Sequence, residues 1–287
     1  MSNRPCIEIT EMGPRDGLQN ISTIIPSEDK VALINLLSKC GLNRIEATAF
    51  VHPKWVPQLS DAEQVLESIT REEGVQYTAL VPNVQGWERS LSTSIDEIGV
   101  LTAASDAFCE KNLNTTIEGS LAKLKPLVAL AHEQKQGVRC YISCAVRCPF
   151  SGPAEPVRLR ELTQTLIDFG LDDIDFGDTI GVAEPDDILR LLDTVDGLLD
   201  PGNLTLHLHN TNGRAIDCAK VAIESGVRRF DASVGGLGGC PYAPGAEGNV
   251  STESLHQLAV DLGFETGICL EKLLEAKQFI LQKATCS

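Results

Sequence analysis

The stretch QYTALVPNVQGWERSLSTSIDEIGVLT, residues 76–102, contains the pattern that decides the fold. Two short runs rich in apolar residues, Gln76–Val81 and Ile98–Thr102, lie at its ends and are predicted to be strands. The residues between them are predicted to be helical. A strand, a helix and a second strand in this order form a βαβ unit, in which the two strands are parallel.

The same alternation continues along almost the whole chain. The other predicted strands are Cys6–Thr10, Arg44–Thr48, Arg139–Ser143, Asp173–Phe176, Leu204–His209 and Arg229–Ala232. Eight units in 287 residues average about 36 residues each, which fits a (β/α)8 barrel of about 250 residues with short additions. An open doubly wound sheet is the alternative, but no Gly-x-Gly-x-x-Gly motif begins a first helix. We therefore predict an α/β fold, the (β/α)8 TIM barrel.

No low-complexity linker divides the chain, so residues 1–287 are predicted to form one domain. Extra C-terminal helices are predicted around Leu255–Leu262 and Leu270–Ile280. Ser27 is a predicted cap of the first helix, and two segments have the spacing of capping boxes. These segments are Ser60-x-x-Glu63 and Thr115-x-x-Glu118.

Charge and composition exclude several classes of partner. The chain carries 24 basic and 40 acidic side chains, a formal net charge of −16. Nucleic acids and anionic membranes require a basic face, so neither is expected to bind. No run approaches the ~20 apolar residues of a membrane-spanning helix, and the N-terminal stretch lacks the apolar segment of a secretory signal. Local positive groups would have to hold any anionic ligand.

The ten cysteines are scattered rather than arranged as a disulfide framework. This usage indicates reduced thiols in a reducing compartment, and we expect a cytoplasmic protein. Cys140, Cys144 and Cys148 are evenly spaced by four residues, which is compatible with a metal cluster. No recurring CxxC pair accompanies them, so we expect structural thiols.

Polar residues gather where the predicted strands end, which is where barrel enzymes place their active sites. His207 and His209 are two residues apart on the seventh strand, so their side chains point to the same face. Together with a carboxylate such as Asp16, two imidazoles form a plausible divalent-cation site. The alternatives are one buried core histidine with an exposed neighbour, and an ordinary turn aspartate. Two of only five histidines stand at this strand end, which favours the metal site.

Further candidates surround this group. Arg15 could pair with a carboxylate or stabilise a developing oxyanion. Glu46 lies on an otherwise small or apolar strand, where an inward carboxylate is costly unless it is paired. The segment Gly235–Cys240 is either a flexible turn or a mobile loop that delivers a thiol as a proton donor. A cation, an arginine, carboxylates and a cysteine, with no obvious attacking serine, indicate enolate chemistry next to a carbonyl.

The motifs that carry these residues resemble the 3-hydroxy-3-methylglutaryl-CoA lyase family of metal-dependent (β/α)8 enzymes, over essentially the whole chain. They are Gly13–Asn20 (GPRDGLQN), Phe50–Gln58 (FVHPKWVPQ), Gly177–Val182 (GDTIGV) and Ser233–Tyr242 with Gly248-Asn249. The resemblance implies one TIM-barrel lyase domain that cleaves a 3-hydroxy-3-methylacyl-CoA into acetyl-CoA and a keto acid. For the glutaryl substrate the keto acid is acetoacetate, as in leucine degradation and ketone-body metabolism.

The resemblance also implies roles for individual residues. The implied cation ligands are Asp16, His207, His209 and Asn249. Arg15 matches the arginine that binds the substrate carbonyl and stabilises the enolate, and Cys240 matches a loop cysteine of proton transfer. Glu46 and Asp178 match carboxylates that support catalysis, and Arg139 matches a strand-five arginine expected to bind substrate. The implied cofactor is Mg²⁺ or Mn²⁺, the implied partner is an acyl-CoA, and a homo-oligomer is expected.

Several positions depart from the family pattern. These are Ile21, Ser22, Ala49, His52, Arg147 and Asn210. Ile21 and Ser22 stand where many relatives have Glu-Lys, which removes one cationic contact to CoA. None of the departures falls on a proposed cation ligand, so we expect the same class of reaction. The identity of the acyl group in the substrate is not determined by these residues.

Four alternatives follow. The first is a lyase for another 3-hydroxyacyl-CoA, of isohexenylglutaryl or citramalyl type. The second is a metal-dependent hydrolase, although such barrels usually carry His-x-His on the first strand. The third is a non-catalytic binding barrel, which the intact ligand set argues against. A synthase is less favoured, because such enzymes usually add a C-terminal domain for which the chain lacks room.

Overall fold

A closed barrel of eight parallel strands forms the centre of the computed structural model, which describes residues 4–239 and 248–285. The strands are β1 (Glu8–Glu11), β2 (Arg44–Ala49), β3 (Gln76–Leu80), β4 (Glu97–Ala103), β5 (Gly137–Ser143), β6 (Asp173–Asp178), β7 (Leu204–Leu208) and β8 (Arg229–Ala232). Each strand pairs with its neighbours in sequence, and β1 pairs with β8 to close the ring. The predicted (β/α)8 barrel is confirmed.

Helices follow every strand and surround the barrel. They are α1 (Ser27–Leu37), α2 (Ala62–Ser68), α3 (Val84–Ser90), α4 (Asp106–Leu113), α5 (Ile117–Glu133), α6 (Pro156–Asp168), α7 (Pro185–Val195), α8 (Ala215–Glu224), α9 (Thr252–Asp261) and α10 (Leu270–Thr285). The last two are the predicted C-terminal helices. A short antiparallel hairpin, Arg147–Cys148 with Gly152–Pro153, lies between β5 and α6.

The predicted helix caps were wrong in detail. Ser27 lies inside α1, and its hydroxyl donates to Asp61 at 2.6 Å instead of capping the helix. Glu63 binds Arg89 at 2.7 Å, so the expected capping box of α2 does not form. The cap of α5 is Thr116, one residue later than predicted. In the first two cases a contact between different elements replaced the local one.

The main hydrophobic core lies between the strands and the surrounding helices. Ile98 and Val100 of β4 belong to the same buried cluster as Leu124, Leu127 and Val128 of α5. Across the described ranges, no helix combines the length and the apolar character needed to cross a membrane.

The described cysteines are free thiols. Cys140, Cys144 and Cys148 are all buried. Within residues 4–239 and 248–285, the two side-chain groups arranged to hold a metal consist of Asp and His only. The burial of these three cysteines therefore agrees with their interpretation as structural thiols.

Glu11, the last residue of β1, joins three chain segments inside the protein. Its side chain is fully buried, and Oε1 accepts the backbone N–H groups of Gly13 and Val234, both at 2.8 Å. Oε2 accepts the hydroxyl of Thr252 at 2.7 Å. Burial raises the pKa of Glu11 to about 7, with Glu253 acting in the same direction and the three hydrogen bonds opposing.

Replacing Glu11 with Gln should therefore remove part of the pH dependence of stability. A raised carboxyl pKa means that the folded state binds more protons, so stability falls as the pH rises from 4.5 to about 7. Glu11→Gln should raise the free energy of unfolding by up to about 3 kcal/mol at high pH and by less at low pH. Urea unfolding at about pH 5.5 and about pH 8 measures this difference. The control is Glu8→Gln, an exposed position on the same strand; an equal gain at both pH values would contradict the assignment.

Candidate active site

Three side chains form a compact group at the C-terminal end of the barrel. His207 and His209, at the end of β7, bring their Nε2 atoms within 3.2 Å of each other. Asp16 lies in the tight helical turn after β1, and its Oδ2 is 3.8 Å from His207 Nε2 and 3.9 Å from His209 Nε2. The structure thus brings together the three side chains that the sequence analysis grouped as cation ligands.

Asn249, the fourth predicted ligand, adjoins this group. It forms an isolated antiparallel bridge with His209. Its Nδ2 donates to Asp16 Oδ2 at 2.8 Å and to the carbonyl of Leu237 at 3.0 Å. With the amide nitrogen engaged in this way, Oδ1 is the atom that remains for a cation.

The charges of the group suit a divalent cation. Burial lowers the pKa of His209 to about 4, with His207 contributing in the same direction, so the imidazole is neutral and keeps a lone pair. Burial alone would raise the pKa of Asp16, but Arg15 and the two histidines outweigh it and hold that pKa well below its usual range. Imidazole, carboxylate and amide-oxygen donors together fit Mg²⁺ or Mn²⁺ when other oxygens complete the coordination.

One of the two histidines is fixed by a buried chain of charges. His207 Nδ1 lies 3.0 Å from Asp231 Oδ2, and Asp231 Oδ1 binds Arg139 Nη2 at 2.5 Å. A carboxylate on Nδ1 keeps the proton there and directs the Nε2 lone pair toward the cation position. By contrast, the buried Nδ1 of His209 has no hydrogen-bond partner among the residues that the structure describes.

Arg139, which is predicted to bind substrate, is enclosed by carboxylates in the structure. Its side chain is 1% exposed, and its Nη2 lies 2.5 Å from Asp175 as well as from Asp231. Its Nη1 donates to Thr10 at 3.3 Å. A guanidinium enclosed in this way is suited to a positioning role that acts through Asp231, and its contact with substrate stays a prediction.

A second cluster, around Arg15, adjoins the cation group. Arg15 Nε donates to Glu46 Oε2 at 2.5 Å, and Nη1 donates to Asp16 Oδ1 at 2.6 Å. Glu46 is fully buried, and its Oε1 accepts the hydroxyl of Tyr141 at 2.9 Å. Burial raises the pKa of Glu46 although Arg15 opposes the shift. Arg15 is therefore held between two carboxylates, one of which belongs to the cation group.

Tyr141 is a site residue that the sequence analysis missed. Besides binding Glu46, its ring centre lies 5.6 Å from the guanidinium carbon of Arg15. Tyr141 stands two residues after Arg139 on β5, and that spacing places both side chains on the same face of the strand. The alternation was readable in the sequence, but which face points inward became clear only from the closed barrel.

Asp178, at the end of β6, shapes the turn that follows it. Its side chain is buried and accepts the backbone N–H groups of Ala183 at 2.9 Å and Val182 at 3.3 Å. Burial raises its pKa to about 6, with these hydrogen bonds opposing. The predicted catalytic role of Asp178 stays a prediction, and the contacts show how the residue orders the rim of the barrel.

The glycine-rich segment after β8 is described as far as Gly239, so Cys240 lies outside the described residues. The two flanks of the segment lie against each other at Gly238 and Gly248. A Cβ added to Gly248 would lie only 2.4 Å from the carbonyl carbon of Gly238. This close approach requires glycine. It places the start and the end of the segment next to Asn249.

Comparison with known protein families gives a match over most of the chain. The family model described as HMGL-like matches residues 6–280. The 3-hydroxy-3-methylglutaryl-CoA lyase, cytoplasmic, of Mus musculus is 42% identical over 274 residues, covering 96% of this chain and 80% of the relative. The hydroxymethylglutaryl-CoA lyase, mitochondrial, of Rattus norvegicus is 43% identical over 276 residues, covering 96% of this chain and 85% of the relative.

Solved structures give the same picture. An HMG-CoA lyase from Brucella melitensis superposes with a TM-score of 0.95 at 46% identity, covering 97% of this chain and 98% of that one. An HMG-CoA lyase from Acinetobacter baumannii, solved with coenzyme A and 3-methylmalate, superposes with a TM-score of 0.93 at 35% identity. That match covers 99% of this chain and 93% of the other.

The buried chain from Arg139 to His207 leads to a prediction about cation affinity. Asp231→Asn should weaken Mn²⁺ binding about 10- to 100-fold, because His207 loses the carboxylate that fixes its tautomer. Titration of Mn²⁺ by calorimetry measures this change directly. The control is Asp96→Asn, since Asp96, like Asp231, accepts an arginine, but it lies away from the site and its other partner is a backbone N–H. Unchanged Mn²⁺ affinity in a folded Asp231→Asn protein would contradict the positioning role.

Proposed function

This chain belongs to the HMGL-like family, and we propose that it is a divalent-cation-dependent carbon–carbon lyase. Its proposed reaction is cleavage of 3-hydroxy-3-methylglutaryl-CoA to acetyl-CoA and acetoacetate. The observation that carries the proposal is the position of Arg15, which is hydrogen-bonded to Asp16 of the cation group and to the buried Glu46. In this arrangement, a bound cation and the fixed guanidinium of Arg15 would act on neighbouring oxygens of one substrate.

The proposed cleavage is a retro-aldol reaction. A base takes the proton of the C3 hydroxyl, and C3 becomes the keto carbon of acetoacetate as the C2–C3 bond breaks. The electron pair of that bond moves toward the thioester carbonyl and gives the enolate of acetyl-CoA. Protonation of the enolate at C2 completes acetyl-CoA. Asp16, His207, His209 and Asn249 would hold the cation. When bound, the cation supplies Lewis-acid polarisation of substrate oxygens.

Arg15 would stabilise the negative charge that develops on the enolate oxygen. Glu46 and Asp16 hold its Nε and Nη1, so we assign the oxyanion contact to Nη2. A donor fixed before the reaction starts need not reorganise as the charge develops. Glu46 and Tyr141 keep the guanidinium in place, and Cys240 is proposed to supply the proton at C2.

A lyase for another 3-hydroxyacyl-CoA is the second candidate. Ala49, Leu59 and Leu80 form a small apolar cluster against which Leu101 and Tyr141 pack. Tyr141 connects this cluster to Glu46, so the wall beside the Arg15 group is apolar. An apolar wall would also accept a longer alkyl substituent at C3, as in an isohexenylglutaryl thioester, whereas the citramalyl type has a shorter carboxylate arm.

The remaining parts of the proposal concern partners and location. We propose Mg²⁺ or Mn²⁺ as the cation, an acyl-CoA as the substrate and a homo-oligomeric assembly. The relatives carry both cytoplasmic and mitochondrial names. We propose a cytoplasmic location, with a role in leucine degradation or ketone-body metabolism, and the free thiols of the described cysteines fit such a reducing compartment.

Activity on a substrate panel tests the reaction. With Mg²⁺ or Mn²⁺, the purified protein should release acetyl-CoA and acetoacetate in equal amounts from 3-hydroxy-3-methylglutaryl-CoA. A chelator should abolish the activity and added cation should restore it, because the cation supplies polarisation that the side chains do not. No turnover with either cation would refute this substrate, and a higher kcat/KM for a citramalyl or isohexenylglutaryl thioester would support the second candidate.

Substitution of Arg15 tests its role in charge stabilisation. Arg15→Gln should lower kcat about 10²- to 10³-fold, which is the usual effect of removing one oxyanion donor. Thermal unfolding should show that the variant is folded. The control is Arg71→Gln. Arg71 lies away from the site, where its Nη2 is 2.6 Å from Asp96 Oδ2, so this substitution should leave kcat unchanged. A near-normal kcat in Arg15→Gln would refute the assignment.

A further inference from the structure

The base of the glycine-rich segment is held by two carboxylates that bind successive backbone amides. The N–H of Val234 donates to Glu11 Oε1 at 2.8 Å, and the N–H of Gly235 donates to Glu253 Oε2 at 2.9 Å. Both amides belong to the short 3-10 turn Val234–Gly236, which begins the segment. Two carboxylates on adjacent amides fix the position and the direction of this turn.

Glu11 connects this base to the turn that carries Arg15 and Asp16. Glu11 Oε1, which accepts the N–H of Val234, also accepts the N–H of Gly13. Gly13 is the first residue of that turn. The two catalytic segments, one after β1 and one after β8, are therefore tied to a single buried oxygen. A change in the position of Glu11 would move them relative to each other.

Glu253 requires a counter-charge, because it lies close to the buried Glu11. Lys277 of α10 supplies it, with Nζ 2.6 Å from Glu253 Oε1. Glu253 also lies in the first turn of α9, where the helix dipole favours a negative charge. A Cβ at Gly235 would lie 3.4 Å from Lys277 Cγ, so the lysine stem also packs against the turn.

The position of the turn affects the cation group directly. Leu237 is the residue after the turn, and its carbonyl accepts a hydrogen bond from Asn249 Nδ2 at 3.0 Å. The same nitrogen also donates to Asp16. Gly235 has a φ of 69° and therefore needs the conformational freedom of glycine. A backbone of this kind is held in place by its partners rather than by its own side chains.

We propose that Glu11 and the Glu253–Lys277 pair are positioning residues that clamp the base of the glycine-rich segment against the Arg15 turn. They touch neither the cation position nor the substrate. They set where the segment leading to Cys240 starts. The catalytic part of this inference rests on the proposed lyase reaction, whereas the structural part is testable without it.

The test compares variants of the whole protein that remove the clamp with variants that keep it. Lys277→Met removes the counter-charge of Glu253, and Glu11→Ala removes all three hydrogen bonds of Glu11. Glu11→Gln is the conservative variant, because the amide oxygen can still accept both N–H groups. Lys283→Met is the matched control, since Lys283 lies on the same helix and pairs with Asp29 at 2.8 Å.

Three measurements are made on each variant: hydrogen–deuterium exchange, steady-state kinetics and Mn²⁺ affinity. Hydrogen–deuterium exchange of residues 233–239 reports the clamp itself and needs no substrate. The separate values of kcat and KM, together with Mn²⁺ affinity, report its effect on the reaction. We expect Lys277→Met and Glu11→Ala to exchange at least about fivefold faster in this segment and to lose about tenfold in kcat. KM and Mn²⁺ affinity should stay within about twofold. Glu11→Gln and Lys283→Met should exchange no faster than the unchanged protein and should match it in kcat, KM and Mn²⁺ affinity.

The outcomes separate this inference from the proposed function. Unchanged exchange in Lys277→Met would overturn the clamp, even if Glu11→Ala failed to fold. A large loss of kcat in Glu11→Gln would overturn it as well, because the charge of Glu11 rather than its hydrogen bonds would then matter. If Lys277→Met and Glu11→Ala exchange faster but the unchanged protein shows no lyase activity, the lyase assignment is refuted and the clamp still holds.

Discussion

The site depends on one buried positive charge that must be neutralised inside the barrel. A guanidinium enclosed by protein is stable only when carboxylates surround it, and Asp175 and Asp231 do so for Arg139 at 2.5 Å each. Asp231 is shared, because its other oxygen binds His207. The charge balance of the interior, set by residues of β5, β6 and β8, therefore fixes the orientation of a histidine at the mouth that would hold a cation.

The same reasoning explains how a chain with a net charge of −16 could bind the anionic thioester proposed as its substrate. Charges spread over a solvated surface are screened within about 10 Å at ordinary salt. Arg15 is buried, and its two carboxylate partners hold it beside the cation group. A bound divalent cation adds two positive charges at the same place. The local field at the mouth is thus set by a few buried groups rather than by the overall charge.

The sequence predicted the architecture well because strand periodicity is a local property. The predicted β8, Arg229–Ala232, agrees with the structure, and β1 begins only two residues later than expected. The features it missed depend on contacts between distant segments. Asp231 and Tyr141 became site residues only when the barrel closed and turned them inward. Ser27 likewise does not cap α1 as predicted, because its hydroxyl donates to Asp61, the residue before α2.

The distribution of roles between strands and loops follows from what each can fix. An imidazole on a strand, such as His207 of β7, is held by the hydrogen-bond ladder of the barrel and by the buried carboxylate of Asp231. A glycine-rich segment lies outside this ladder, and glycine has no side chain to make contacts and few limits on its backbone conformation. Its position must therefore be imposed from outside, and Glu11 does this by binding the segments after β1 and β8 through one oxygen. The two halves of the site are consequently set relative to each other by a residue that lies outside both.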